Sequence, residues 1–167
     1  TSIVLNSGNK VREICINGIG GSTVSGLSRL LLQADNINEI IALANKGDIS
    51  RINLQIKDIS TSPLPGLPMD ATASLFANAQ ANASREDIAL GLIGLVLQSI
   101  GSATILSSLN SDIRDFVLIG NLSLLPQCEL LFPVMEKIYD VRFIIPKNSE
   151  YCTAIGAALQ ADNIENI

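Results

Sequence analysis

The feature that most constrains this chain is an uncharged segment that runs from Ile88 to Ser111. Its stretch from Ala89 to Leu109 is long enough to cross a bilayer as one helix. The stretch nevertheless contains several serines, a threonine and a glutamine, and no basic cluster flanks it. It follows Ser84-Arg85-Glu86-Asp87, a capping residue and an acidic first turn that are typical of soluble helices. We therefore predict a buried core helix over residues 84–110.

The composition limits the chemistry that the chain can perform. A length of 167 residues, with 47% hydrophobic and 16% charged residues, predicts one domain with a sizeable core. The net charge of -5 argues against a general nucleic-acid binder, and 4% aromatic residues argue against a base-stacking platform. The absence of histidine excludes Ser-His-Asp and Cys-His nucleophiles and His-based zinc sites. The widely spaced Cys15, Cys128 and Cys152 predict reduced, mostly buried thiols.

The apolar periodicity predicts an α/β fold with a mixed sheet and flanking helices. Ser7-Gly8-Asn9 supplies the turn of a first hairpin. Residues 70–79 are predicted as a short helix capped by Asp70, residues 53–59 fit either a strand or a helical turn, and the proline-rich residues 60–68 predict a surface loop. The other predicted strands cover residues 2–6, 11–16, 115–119 and 141–145, and the other helices begin near residue 24 or cover residues 37–44, 124–139 and 151–161.

The strongest local signal is a glycine-rich loop between a strand and a helix. Residues 17–23 read Asn-Gly-Ile-Gly-Gly-Ser-Thr, and an amphipathic helix follows. Glycines let neighbouring amides point at one anion, and the start of a helix adds a positive dipole. Hydroxyls at Ser22, Thr23 and Ser25 are further donors. Because the loop lacks a lysine and matches neither GxGxxG nor GxxxxGK[ST], a nucleotide phosphate cradle and an ordinary strand-to-helix turn both stay open.

A second candidate is the end of the strand predicted over residues 115–119. Gly120, Asn121 and Ser123 follow that strand, where open α/β sheets bind ligands. An adenine ring or a ribose fits against such a glycine, and an ordinary turn is the alternative. No pair of carboxylates has the sequence spacing of a catalytic pair, so solvated or first-turn positions are expected for the remaining acids: Asp48, Asp58, Asp70, Glu86 and Asp87.

Taken together, these segments resemble the C-terminal part of the type II pantothenate kinases, a family with the actin/sugar-kinase fold. The resemblance covers nearly the whole chain in six ordered matches. Thr1-Ser2 resemble the end of a GTGTS phosphate loop, and residues 10–27 resemble the RRVGG…GGGTIQGL region. The other matches are residues 43–48 with 53–59 (LA..GD…DLKVRDIY), 70–76 (DLTAANFG), 116–120 (VYIGG) and 154–159 (GAIGAL).

The resemblance implies ATP-dependent phosphorylation of pantothenate, the first step of coenzyme A biosynthesis, with Mg²⁺ bridging the transferred phosphates. It also implies a ribonuclease H-like lobe of the actin-like ATPase fold in a cytoplasmic enzyme. Residues 1–167 are expected to form one domain, the C-terminal lobe. The N-terminal lobe, which carries the catalytic Glu of the family, is expected to be absent, so neither catalytic nor metal-binding residues are assigned. The chain is then an excised lobe, a truncation product or one subunit of a split enzyme.

The resemblance also implies the positions of binding residues. Arg12 matches the basic pair that contacts pantothenate, and the apolar helix from Ala89 to Leu109 matches the dimer helix of the family. Contacts with ATP are implied for residues of the glycine loop, for the residues that close the phosphate loop and for the glycine after the predicted strand: Thr1, Ser2, Gly20, Gly21, Ser22, Thr23, Ser25 and Gly120.

Two departures from the family keep other functions open. Glu13 follows Arg12 where a second basic residue is expected, and its carboxylate would repel that of pantothenate. Ser22 replaces the third loop glycine, which restricts the approach of the backbone to a phosphate. The alternatives are a non-catalytic structural or regulatory fragment, or another actin-fold ATPase such as a reactivase or a sugar kinase.

Overall fold

Helices and pairs of short strands alternate along the chain in the computed structural model, which describes residues 1–8 and 10–164. The strands are β1 Ser2–Asn6, β2 Val11–Ile16, β3 Leu54–Gln55, β4 Thr72–Ser74, β5 Asp115–Val117 and β6 Arg142–Ile144. The helices are α1 Gly21–Leu32, α2 Ile37–Ala44, α3 Ile56–Ile59, α4 Arg85–Ser107, α5 Gln127–Tyr139 and α6 Cys152–Ile164. Single 3-10 turns lie at Ile49–Arg51, Asn121–Leu124 and Ser149–Tyr151.

The uncharged segment forms α4, which lies at the centre of the hydrophobic core. Ser84 caps it by accepting a hydrogen bond from the amide of Asp87 at 3.1 Å. α1, α2 and α5 all pack against it, and Ile93 and Val96 are 0% exposed. By length and composition α4 is long and apolar enough to cross a membrane, but 67% of its most apolar window is buried inside the fold. The predicted buried helix is confirmed, and its low polarity on most sides fits the burial of most of its length among other helices.

Two glycines permit close contacts with the elements around α4. A Cβ atom on Gly91 would lie 2.6 Å from Cγ2 of Ile52, so only glycine lets the chain after the Ile49–Arg51 turn pack this closely. A Cβ atom on Gly47 would overlap the carbonyl oxygen of Glu86, in the first turn of α4. The Lys46-Gly47-Asp48 segment therefore packs directly against the first turn of α4.

The strands form three separate pairs and not the single mixed sheet that the sequence predicts. β1 and β2 are antiparallel with a bulge after Ile3, β3 and β4 are antiparallel, and β5 and β6 are parallel. Within the described residues each strand pairs with one neighbour only. The α/β class is as expected, and the chain contains both parallel and antiparallel strand pairs, as a mixed sheet would. A groove lies between β1 and β5, where a continuous sheet would have a strand.

The short helix predicted over residues 70–79 is wrong. Residues 72–74 form β4, which pairs with β3, and the side chain of Gln55 donates to the carbonyl oxygen of Asp70 at 2.8 Å. Phe76 then adopts a left-handed conformation with φ 60°, and its amide donates to Oδ1 of Asn53. Contacts from a distant part of the chain thus override the local preference. Residues 53–59 contain both alternatives, with β3 followed by α3.

The first hairpin, α2 and the positions of β5, α5, β6 and α6 agree with the predicted elements to within a few residues. Residues 60–68 form a loop, as predicted. Asn9 of the predicted hairpin turn lies outside the described residues. The three cysteines are unpaired, but only Cys128 is buried, whereas Cys15 and Cys152 are half-buried. The expectation of mostly buried thiols is therefore correct for Cys128 alone, because the other two lie on a strand and a helix at the surface.

Candidate functional site

The loop between β2 and α1 is held against the start of β1. The amide of Asn17 donates to the carbonyl oxygen of Thr1 at 2.8 Å, and Oγ1 of Thr1 donates to the carbonyl oxygen of Ile19 at 2.8 Å. Oδ1 of Asn17 also accepts from the amide of Ile19 at 3.0 Å, which closes a tight turn around Gly18. These bonds fix the direction in which the chain enters α1.

Two neighbouring amides at the start of α1 are available to a ligand. The amide of Gly20 is occupied, because it donates to Oγ1 of Thr23 at 3.1 Å. The carbonyl oxygen of Gly20 accepts from the amides of Thr23 and Val24, at 3.0 and 3.2 Å. Within the described part of the chain, the amides of Gly21 and Ser22 have no acceptor, and both residues are exposed. Such free donors, backed by the helix dipole, form an anion-binding arrangement.

The hydroxyls of the loop differ in how free they are. Ser22 is exposed and Ser25 is half-buried, and neither side chain has a hydrogen-bond partner among the described residues. Thr23 accepts from the Gly20 amide but keeps its own hydroxyl proton as a donor. Ser25 lies one turn into α1, about 6 Å along the helix axis from Gly21. Ser22 is therefore the hydroxyl best placed to act with the two amides.

The two candidate regions meet at Gly20 and Gly21. A Cβ atom on Gly20 would lie 3.3 Å from Oγ1 of Thr1, and one on Gly21 would lie 3.7 Å from Cγ of Leu122. Leu122 belongs to the turn that follows Gly120, so the end of β5 reaches the start of α1. The structure thus brings Thr1, the loop glycines and the Gly120 turn to one end of the molecule.

Gly120 occupies a conformation that favours glycine. Its φ is 92°, which lies in the left-handed region, and nothing stands within 4 Å of the position of a Cβ atom. Its amide donates to the carbonyl oxygen of Ser149 at 2.9 Å, and its carbonyl oxygen accepts from Oγ of Ser123 at 2.7 Å. The turn is therefore fixed from both sides and leaves an uncovered backbone surface beside the loop.

The structure gives Ser2 and Arg12 no direct part in the pair of free amides. Oγ of Ser2 donates to the carboxylate of Glu13, so this hydroxyl is already engaged. Arg12 is exposed and stands opposite Leu5, near the turn end of the hairpin. It lies four positions before Ile16, at the loop end of β2, which is about 13 Å along a strand. The structure therefore does not place the Arg12 backbone beside the loop.

The acidic residues near α4 connect segments of the fold. Oδ1 of Asp87 accepts from the amide of Asp48 at 2.8 Å, and Arg51 lies 3.9 Å from Asp87. Burial raises the pKa of Asp87, but hydrogen bonds from Ser84 and from the Asp48 amide, together with the Arg51 charge, lower it overall. Hydrogen bonds from the Ser50 hydroxyl and amide lower the pKa of Asp48. Asp87 was predicted only as a first-turn charge, and its burial comes from the loop that covers it.

No metal-binding cluster accompanies the loop. Among residues 1–8 and 10–164, no three Asp, Glu, Cys or His side chains gather as metal ligands. Asp58 accepts from the amide of Gln55 at 2.7 Å and serves as a local cap. Within the described residues, the loop therefore offers backbone amides and hydroxyls, which are donors of the kind that bind anions.

A groove that the sequence analysis missed opens beside the loop. It is a cavity of about 470 Å³ between β1 and the segment 115–119. Leu97, Ile100 and Phe132 form its floor, and Thr1 and Leu122 lie at the end that adjoins the glycine loop. The available signal in the sequence was the unbroken apolar run in each strand, residues 3–5 and 116–119, because such runs are typical of strands packed on both faces.

These features define an α/β protein with two free amides at the start of a helix, and comparison with known proteins assigns its family. The model of the Fumble family matches residues 1–126, which is well over half of the chain. The matched residues include both the glycine loop and the Gly120 turn. The chain belongs to the Fumble family.

The curated relatives carry a more specific name. A type II pantothenate kinase from Bacillus cereus (strain G9842) is 29% identical over 107 residues, which cover 62% of this chain and 39% of the relative. Type II pantothenate kinases from Bacillus cereus (strain AH820) and Bacillus anthracis are each 28% identical over 107 residues, with the same shares covered. The matched region therefore spans about two fifths of the length of these relatives.

Proposed function

We propose that this chain is the ATP-binding lobe of a type II pantothenate kinase, which phosphorylates pantothenate in the first step of coenzyme A biosynthesis. The observation that carries the proposal is the pair of free, exposed amides at Gly21 and Ser22. They stand at the start of α1, beside the Gly120 turn, in a chain of the Fumble family. The names of the curated relatives supply the substrate.

The phosphates of ATP would lie against the start of α1. The amides of Gly21 and Ser22 and the hydroxyls of Ser22 and Thr23 would bind phosphate oxygens, and the helix dipole would offset their charge. The uncovered backbone of Gly120 would face the nucleoside. Ser25 lies one turn further along α1 and the Ser2 hydroxyl is held by Glu13, so neither would contact ATP directly.

Magnesium would enter as part of the substrate, bound to the phosphates of ATP. Mg²⁺ is usually held by one or two carboxylates together with substrate phosphates. Because the described residues gather no acidic cluster, this chain would contribute donors for phosphate charge and leave the metal to ATP. Phosphoryl transfer depends mainly on positioning and charge neutralisation, which are the two contributions that these amides can make.

The catalytic base would come from outside this chain. The matched region covers 39% of each of these relatives, so most of a whole enzyme lies beyond it. We place residues 1–167 in a single domain, a ribonuclease H-like lobe of the actin-like ATPase fold, which would close on an N-terminal lobe around ATP in the cytoplasm. The alternation of helices with short strands supports this assignment.

Arg12 would bind the carboxylate of pantothenate. Pantothenate carries its carboxylate at the end opposite the hydroxyl that receives the phosphate, so an arginine about 13 Å along β2 from the loop suits that end. Successive residues of a strand point to opposite faces, and Glu13 is held by Ser2. The repulsion expected between Glu13 and the substrate is thereby reduced.

A homodimer through α4 would use the strip of this helix that its own chain leaves accessible. Ile100 is 6% exposed and belongs to the core, whereas Leu95 is half-buried and Leu106 is 65% exposed. Leu106→Arg should convert a dimer into a monomer without unfolding it, as measured by light scattering after size-exclusion chromatography. Ile100→Arg would instead place a charge in the hydrophobic core, so it would test folding and not the dimer interface. A monomeric wild-type chain would contradict this interface.

The proposed function is tested by placing a negative charge at the free amides. Ser22→Asp should fold normally, because an acidic residue suits the first turn of a helix. It should weaken ATP·Mg²⁺ binding about tenfold or more in calorimetry, by repulsion of phosphate at close range. Ser7→Asp, on the distant hairpin turn, makes the same change in net charge and should leave binding unchanged.

The substrate is tested in the whole protein. Expression of the parent gene should give ADP release that depends on pantothenate, and Ser22→Asp should reduce it more than Ser7→Asp does. Equal binding by the two variants would contradict the phosphate site. A parent protein that binds ATP but releases no ADP with pantothenate would favour another ATPase of this fold or a non-catalytic module.

A further inference from the structure

The groove between β1 and β5 has the geometry of an unfilled position in a sheet. Consecutive residues from Thr1 to Asn6 line one wall, and consecutive residues from Asp115 to Ile119 line the other. A face of a strand exposes only every second residue, whereas an edge exposes the backbone of every residue. Each wall of the groove is therefore the edge of a strand. Within the described residues, β1 pairs only with β2 and β5 pairs only with β6, so each strand keeps one edge without a strand partner.

The two walls run in opposite directions. Thr1, at the start of β1, lies against Gly20, and Leu122, just beyond the end of β5, lies against the adjacent Gly21. The start of β1 and the end of β5 are therefore at the same end of the groove. A strand placed between them and antiparallel to β1 is parallel to β5, and both ladders are standard pairings. Such a strand ends beside Thr1.

The lining fits an apolar, uncharged strand. Leu97 and Ile100 of α4 and Phe132 of α5 form the floor, so side chains on one face of an inserted strand would extend the existing core. The only charged side chain of the lining is Asp115, which is paired with Arg142 at 2.7 Å. The walls accommodate about five residues, or roughly 17 Å of extended chain.

The opposite face of both walls is also apolar and uncovered. Val4, Val117 and Ile119 are 52%, 59% and 50% exposed, although valine and isoleucine favour strands that are packed on both sides. A strand between them would join these residues into one continuous surface. One strand between β1 and β5 would therefore explain the exposed apolar residues of both strands.

We propose that this groove binds one extended strand with apolar residues, supplied by the remainder of the longer protein in which this chain is a lobe. The inserted strand would join β2-β1 to β5-β6 in a single mixed sheet of five strands. The proposal rests on the proposed function for the source of the strand. The matched relatives extend far beyond the region shared with this chain, and the direction of the groove lets a strand reach Thr1 through a tight turn.

The test supplies such a strand in cis. An extension Thr-Val-Val-Val-Thr-Asn-Gly is fused before Thr1 of the full chain, so that Asn-Gly forms the hairpin turn. The matched control replaces the first and third valines of the extension by proline, which cannot donate to a ladder. The strand extension should raise Tm by about 5 °C or more. It should also slow hydrogen exchange of the Val4 and Val117 amides at least tenfold, whereas the proline control should do neither.

Equal behaviour of the two extensions would overturn the proposal. Protection of Val4 and Val117 that appears in the chain without an extension, only as concentration rises and a dimer forms, would also overturn it, because the occupant would then be a second copy. Neither readout needs ATP or pantothenate. A filled groove in a chain that binds no nucleotide would contradict only the proposed function, and nucleotide binding with an unfilled groove would contradict only this inference.

Discussion

The helical and strand regions of the molecule differ in how completely they satisfy themselves. α4 packs against α1, α2 and α5, and Ile93 in its middle is 0% exposed. Among residues 1–8 and 10–164, β1 and β5 each pair with one strand only, and Val117 is 59% exposed. One chain thus contains a well-packed helical core beside strand edges that have no strand partner among the described residues. The helical region therefore accounts for most of the buried core of this chain, whereas the strand region offers edges that an additional strand would fill.

An aspartate introduced into each region should distinguish the two regions most strongly. Ile93→Asp places an unpaired charge in the core and should cost about 4 kcal/mol or more, which is enough to prevent folding. Val117→Asp places the same charge on an exposed strand position and should cost about 1 kcal/mol. Circular dichroism with urea unfolding measures both. Comparable losses at the two positions would remove the distinction between the regions.

A second prediction concerns the contact between Gly47 and α4. A Cβ atom at Gly47 overlaps the main chain of Glu86, which cannot move without displacing the start of α4. Gly47→Ala should therefore lower the free energy of unfolding by about 2 kcal/mol or more. Gly26→Ala is the matched control, because nothing lies within 4 Å of that position in the middle of α1. The control should stabilise the chain by about 0.5–1 kcal/mol, as alanine favours a helix interior.

The buried acid at the start of α4 predicts a pH dependence. The pKa of Asp87 is lower in the folded chain than in the unfolded chain, so its contribution to stability is full above pH 4. That contribution is lost as the pH falls through the lower folded value. Asp87→Asn should cost about 1 kcal/mol at pH 7 and flatten the decline in stability between pH 4 and pH 2. If the stability of the variant declined between pH 4 and pH 2 as steeply as that of the wild type, ionisation of Asp87 would not contribute to stability.

The smallest effect concerns the thiol at the floor of the groove. Burial raises the pKa of Cys128 to about 11, and the side chain is 2% exposed. At pH 7.5 iodoacetamide should therefore label the half-buried Cys15 and Cys152 well before Cys128, as measured by peptide mass spectrometry. Labelling of Cys128 as fast as the other two would mean that the groove opens into the core.

Local signals in the sequence predicted the elements that local interactions determine. The residue pattern of α2 and the Ser84 cap of α4 needed no information from elsewhere in the chain. β4 was missed because its pairing with β3 and the Asn53 contact to Phe76 join residues about 20 positions apart. The separation of β1 from β5 was missed for the same reason, since strand order is a property of the folded chain.

The glycines in the sequence identified the loop that forms the candidate site, but they did not show which of its amides are free. Glycine spacing identified the loop, yet the occupied Gly20 amide depends on the rotamer of Thr23, which the sequence does not specify. The meeting of Gly21 with Leu122 joins segments 101 positions apart and follows from the packing around α4. Residue type therefore identified the candidate segments, and tertiary structure determined which of their amides remain free.

The phosphate site is tested most directly by following each amide during a titration. ¹H–¹⁵N spectra of the labelled chain with ATP·Mg²⁺ should show the largest shifts at Gly21 and Ser22, with a smaller shift at Gly120. Gly26, inside α1, should barely move. Saturable shifts located elsewhere, or no shifts at millimolar nucleotide, would contradict the assignment of this loop as the phosphate site.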